Sequence, residues 1–120
     1  MRLFRLLALI MPLVLAPPAM ADFTGPVSSG VASTAAGIET ARLGSYVTLD
    51  GHIVSRQRDD YFVFRDASGE VRVEIEPDVW RGQTVGPQDT VRLLGEVDTG
   101  SGGRYVWVDT LQVLTQAAAD

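Results

Sequence analysis

The sequence predicts an all-β domain, five short strands closing into a small barrel, with one short helical turn between the third strand and the fourth. Three observations predict it. From Tyr46 onward apolar residues alternate with polar ones at a period of two, the spacing of strands with one buried face. Two of those strands carry a glycine in their interior, Gly51 and Gly95, where a barrel strand has to bend. The alternation breaks at Asp78-Val79-Trp80-Arg81, just after Pro77, which ends a strand because it has no N–H to give to a ladder.

The elements follow in order. Val47, Leu49, Gly51 and Ile53 share one parity and face inward, with Thr48, Asp50 and His52 outward. Arg56 to Asp60 reads as a polar turn. Tyr61 to Arg65 is the second strand, with Phe62 and Phe64 inward, and Asp66-Ala67-Ser68-Gly69 is a tight hairpin turn. Val71, Val73 and Ile75 face inward in the third strand. The helical turn that follows is expected to be capped by Asp78, with Trp80 in the core. Val91, Leu93, Gly95 and Val97 line the fourth strand. Thr99 to Arg104 holds three glycines and reads as a flexible loop. Val106 and Val108 face inward in the fifth strand, but Leu111 and Val113 have the opposite parity, so a bulge or break is expected near Asp109-Thr110.

The N-terminus has a different character. Arg2 and Arg5, an apolar run from Leu6 to Leu15 and the small-x-small triplet Ala19-Met20-Ala21 make a secretory signal peptide over residues 1–21, cut after Ala21. The run is too short, and too interrupted by Pro12, Pro17 and Pro18, for the ~20 residues of a membrane span. No Cys follows the cut, so no stable membrane anchor is expected, and the location predicted is the periplasm. Residues 22–44 are rich in Ser, Ala, Thr and Gly and read as a flexible arm; Thr34 to Ala41 could form a short helix capped by Thr34, or stay a plain linker. The barrel domain is expected over 45–115 and a frayed tail over 116–120.

Composition narrows the function. Cleavage leaves eight Arg against fifteen acids, a charge of −7, whereas nucleic-acid binders carry a basic footprint; no nucleic acid is expected. The chain has no Cys and one His. No metal site, no cofactor and no enzyme activity are expected, because nothing supplies a nucleophile with a positioned base. His52 reads as an ordinary exposed residue.

Five strands with a helical turn after the third is the order of an OB-fold. The chain also resembles the bacterial OB-fold family of the NirD/YgiW/YdeI stress-tolerance type. The resemblance rests on Phe23-Thr24-Gly25-Pro26, on Val47 to Ile53, on Tyr61 to Gly69, and most strongly on Val73-Glu74-Ile75-Glu76-Pro77-Asp78-Val79-Trp80-Arg81-Gly82-Gln83-Thr84-Val85, followed by Gly95-Glu96-Val97-Asp98. It implies a periplasmic protein tied to envelope or chemical stress, with no catalytic residues and no bound nucleic acid, that takes small cationic or envelope-derived ligands. The chain departs from the family in using Arg or neutral residues where Lys is common, in the glycines of Thr99 to Arg104, and in an outward Trp107.

OB-folds bind on the face of strands two and three, between the loops joining strands one–two and four–five. The candidate ligand-binding residues are Tyr61, Arg65, Arg72 and Glu74 on that face, with Arg56, Arg58, Asp60, Arg104 and Trp107 on its rims. Aromatics beside Arg suit a sugar or another planar polar ligand. The acids Asp59, Asp60, Asp66, Glu74, Glu76, Asp78, Glu96 and Asp98 have two open readings: a carboxylate-lined patch for a polyamine, basic peptide or hard cation, or solubility and turn chemistry. The expected partner is a small polar or cationic ligand or a peptidoglycan fragment. The alternative is docking on another envelope protein through a sheet edge or the Trp107 patch.

Overall fold

The computed structural model describes residues 31–117. The expected signal peptide, residues 22–30 of the expected arm, the family stretch Phe23 to Pro26 and residues 118–120 lie outside the described residues. Six strands form one sheet: β1 (Val31–Ala32), β2 (Tyr46–Arg58), β3 (Tyr61–Asp66), β4 (Gly69–Glu74), β5 (Thr90–Gly100) and β6 (Gly103–Thr115). Their order is β1-β2-β3-β4-β6-β5, and β5 pairs back onto β2, which closes a five-stranded barrel with β1 as an extra strand.

Closure is possible because β2 serves two neighbours. Tyr46 to Gly51 pairs with β5, and His52 to Arg58 pairs with β3. The change of partner falls at Gly51, where a Cβ would stand 2.5 Å from the Arg65 carbonyl oxygen and 2.7 Å from Phe64. A side chain there would force the two strands apart, so the interior glycine is a condition of the bend. The inward residues expected from the alternation fill the barrel: Leu49, Phe64, Val73, Ile75, Val91, Leu93 and Val106 are completely buried. The expected bulge is present. Gly95 pairs with Val108 and Leu94 with Thr110, which leaves Asp109 as the extra residue and turns Leu111 inward.

Several local expectations are corrected. The polar turn after the first expected strand shrinks to Asp59-Asp60, because β2 runs to Arg58; Asp59 takes a left-handed φ of 48°, which aspartate tolerates. Thr99 to Arg104 is not a loop. β5 reaches Gly100 and β6 starts at Gly103, so only Ser101-Gly102 turns. The helical turn is a 3₁₀ turn over Pro77–Trp80; its N-cap is Glu76 and no side chain caps it, so Asp78 lies inside the turn. Trp80 is half-buried rather than in the core, with its ring 5.3 Å from that of Phe62, edge to face.

The largest correction concerns the N-terminal arm. A 3₁₀ turn over Ala36–Thr40 puts Ile38 and Ala35 in the core. The N-cap of the turn is Ala35 and not the expected Thr34, although Thr34 Oγ1 accepts from the Gly37 N–H at 3.2 Å. The segment is pinned at both ends. Asp66 accepts from the Ala35 N–H and the Ser68 hydroxyl from the Ala36 N–H, each at 2.9 Å, and the Ala41 carbonyl accepts from Arg104 Nε at 2.9 Å. At the other terminus, the Ala117 N–H donates to Asp89 at 2.8 Å, so the start of the expected tail is anchored.

Candidate functional site

The expected binding face is built from β3, β4 and β6. Tyr61 on β3, Arg72 on β4 and Tyr105 on β6 form one cluster, with the Arg72 guanidinium 5.1 Å from the Tyr61 ring and 4.9 Å from that of Tyr105. Arg58 adds a second guanidinium 5.2 Å from Tyr61. The Tyr105 hydroxyl is pushed up to about 12, first by burial and then by the charges of Asp98 and Glu74. Glu74 is also raised, by burial and then by Glu76 and Asp60, despite a hydrogen bond from Tyr105 and the nearby Arg72.

The remaining candidates are dispersed. Arg65 pairs with Glu70. Arg56 donates to the Asp59 carbonyl at 2.8 Å and lies over Phe62. Asp60 accepts from the Ile75 N–H through its carbonyl oxygen, at 2.8 Å. Arg104 holds the N-terminal arm. His52 is half-buried; its Nδ1 bonds the Asp89 carbonyl at 2.9 Å, and since a carbonyl only accepts, Nδ1 carries the hydrogen. Among the described residues, no group of three or more His, Asp or Glu converges as a metal site.

Trp107 stands apart, 45% exposed on the outer face of β6. It forms one wall of a recess of about 210 Å³, with Tyr46, Glu76, Asp78, Glu96 and Asp109 around it. The sheet register explains the gathering. Glu96 pairs with Trp107 on one side and with Tyr46 on the other, so an acid stands between two aromatic rings across three strands. Trp107 Nε1 donates to Glu76 at 3.3 Å, and the Tyr46 hydroxyl donates to Asp109 at 2.6 Å. That hydrogen bond, then burial and the charges of Asp109 and Glu96, hold the Tyr46 hydroxyl above its ordinary range. Four carboxylates face the recess and no cation lines it. Glu76, Asp78 and Glu96 were in the expected carboxylate patch. Tyr46 and Asp109 were not, although the parity break at Asp109 marked the bulge that turns it toward Tyr46.

A larger concavity of about 900 Å³ crosses β2, β5 and β6. Its charges are spent internally. Asp50 and Arg92 pair at 2.8 Å, and Asp66 accepts from Ala35 and Ser68. The Trp107 recess differs in that an exposed aromatic ring there meets carboxylates with no cation among its lining residues.

A closed five-stranded barrel with a helical turn after its third barrel strand, and aromatic and charged side chains on its outer face, defines an OB-fold protein. The chain belongs to the bacterial OB fold (BOF) family, whose model matches residues 16–113. It is 38% identical over 112 residues to Protein YgiW of Escherichia coli (strain K12), covering 82% of this chain and 86% of that protein. It is 33% identical over 94 residues to the calcium-regulated OB-fold protein CarO of Pseudomonas aeruginosa, covering 78% and 81%. The solved structure of the E. coli protein ygiW superposes with a TM-score of 0.68 at 40% identity, over 78% of this chain and 98% of that one. The telomere capping protein Ten1 of Saccharomyces pombe, at 17% identity and a TM-score of 0.54, shares the fold alone.

Proposed function

We propose that this protein is an exported, periplasmic OB-fold binding module that takes a small organic cation in the Trp107 recess and carries out no turnover. The carrying observation is the exposed Trp107 ring in a recess with Glu76, Asp78, Glu96 and Asp109 and no lining cation. A cation over an aromatic face gains about 0.5–2 kcal/mol, more as water is excluded. The surrounding carboxylates add charge-assisted hydrogen bonds for a cation that carries N–H groups. The N-terminal pattern of Arg2, Arg5 and the following apolar run supports export. The resemblance to stress-tolerance proteins supports a role in envelope or chemical stress.

Calorimetric titration with spermidine, tetramethylammonium and calcium chloride tests this reading, with Trp107 fluorescence as a second readout. Spermidine is expected to bind, and Trp107→Ala or Glu96→Gln to weaken it. No heat and no fluorescence change with a folded protein would sink the reading. Binding of calcium alone would replace the organic cation with a hard one. The same recess suits a basic side chain of another envelope protein, favoured by the exposure of Trp107; a crosslink in intact cells mapping to β6 would support that second reading.

A further inference from the structure

We propose that Arg72 and the glycine hairpin beside it form a second binding site, for a singly charged carboxylate. Arg72 is an arginine held in place without being bonded. Its guanidinium rests against a corner made by two tyrosine rings, at 5.1 Å and 4.9 Å, and those rings contact each other edge to face at 5.8 Å. No oxygen of the described residues accepts a hydrogen bond from it, and Nε is buried without a partner. A guanidinium carries five N–H donors, and buried donors are almost always satisfied. Arg65, Arg56, Arg92 and Arg104 each have a protein acceptor. Arg72 is therefore oriented and desolvated in part, with Nη1 and Nη2 left as the donors open to a ligand and Nε enclosed. That is the arrangement in which an incoming oxyanion finds a preorganised fork.

The hairpin joining β5 to β6 supplies the room. A Cβ on Gly102 would stand 2.6 Å from Arg72 Nη1, and one on Gly100 would stand 3.3 Å from Nη2. The guanidinium occupies space that side chains at those positions would take. Beside it lies a recess of about 410 Å³ lined by Arg72, Arg104, Gly102 and Gly103 and also by Glu39 and Glu70. The acids near Arg72 set the charge of the ligand. Glu70 is paired to Arg65, but Glu39 and the nearby Glu74 repel a dianion more than a monoanion. A planar, singly charged carboxylate matches the fork and meets the least repulsion. It could come from a small organic acid or from the C-terminus of a peptide.

The test is by NMR on ¹⁵N-labelled protein, following the Arg72 Nε–Hε signal and the Tyr61 and Tyr105 ring signals. The probes are sodium acetate, N-acetyltriglycine, inorganic phosphate, and sodium chloride at matched ionic strength. Acetate is expected to give a saturable shift beyond that of chloride. Arg72→Lys, read on the tyrosine rings, and Gly102→Ala, read on Arg72 itself, are each expected to weaken binding by about tenfold or more, the scale of one charge-assisted hydrogen bond. Thermal melts establish that both variants fold. Tighter binding of N-acetyltriglycine than of acetate would assign a peptide terminus, and equal binding a free acid. Shifts no larger than those with chloride, tighter binding of phosphate than of acetate, or full affinity in folded Gly102→Ala would each overturn the proposal. Spermidine binding at Trp107 is read separately, so either site can fail without the other.

Discussion

Gly95 lies directly beneath the backbone of Trp107: a Cβ on Gly95 would run into the Trp107 carbonyl oxygen and stand 2.8 Å from Val106 Cγ1. The contact joins the two features on which the recess depends. Gly95 lets β5 curve against β6, and the Asp109 bulge begins at the next residue pair. The curvature and the bulge together bring Trp107, Glu96 and Tyr46 onto one outer surface while Val106 and Val108 stay buried.

Gly95→Ala therefore has to move backbone rather than a flexible side chain. Overpacking of this kind costs about 1–3 kcal/mol. Chemical denaturation is expected to show a loss of that size, with a change in Trp107 emission because the carbonyl that shifts is its own. An unchanged midpoint would mean that β5 and β6 separate more easily than their register implies.

Ile38 tests whether the N-terminal arm belongs to the domain. Its side chain is completely buried, in a 3₁₀ turn against β4 and β6. Ile38→Ala removes most of an aliphatic side chain from the core, at a cost of about 2–5 kcal/mol. A loosely attached arm would lose almost nothing, so denaturation midpoints of wild type and variant separate the two cases.

The barrel was readable because its signal is local and repeated. Each inward parity from Val47 to Val108 shows in two to four alternating residues, and the bends show as glycines inside strands. The arm was not readable for the opposite reason. One isoleucine among Ala, Gly, Thr and Glu has no period, and its burial depends on Asp66, Ser68 and Arg104, which are 28 to 66 residues away from it in the chain. The site divides in the same way. Tyr61, Arg72 and Glu74 were visible as the outward parity of two hairpin strands. Tyr46 and Asp109 are 63 residues apart and meet only through the sheet closure. Nor does alternation distinguish a paired arginine such as Arg65 from an unbonded one such as Arg72.

Asp66 gives the arm an acid sensitivity of defined sign. Burial pushes its carboxyl up, but hydrogen bonds from the Ser68 hydroxyl and from the Ala35, Ser68 and Gly69 N–H groups outweigh burial and leave it below the ordinary value of 3.8. A lowered folded value means that this stabilisation is complete above the unfolded value and is lost as pH falls through the folded one. Thermal melts of wild type are thus expected to fall steeply below about pH 4. Asp66→Ala should be less stable at neutral pH and flatter across the acid range, because the arm has already lost its anchor. Parallel acid limbs for the two proteins would assign the sensitivity to another carboxylate.

Glu74 has the opposite sign. Burial, followed by the charges of Glu76 and Asp60, raises its carboxyl above 4.5. The folded protein thus holds this proton more tightly than the unfolded chain does. The resulting stabilisation is present below the unfolded value and is lost as pH rises through the folded one, so at neutral pH the ionised Glu74 works against folding. Glu74→Gln keeps an oxygen that can accept from Tyr105 and removes the charge. Its melting temperature is expected to exceed that of wild type at neutral pH, and the gap should close near pH 4, where the wild-type carboxyl is already protonated. A variant less stable than wild type at neutral pH would mean that the carboxylate's attraction to Arg72 outweighs its repulsion from Glu76 and Asp60.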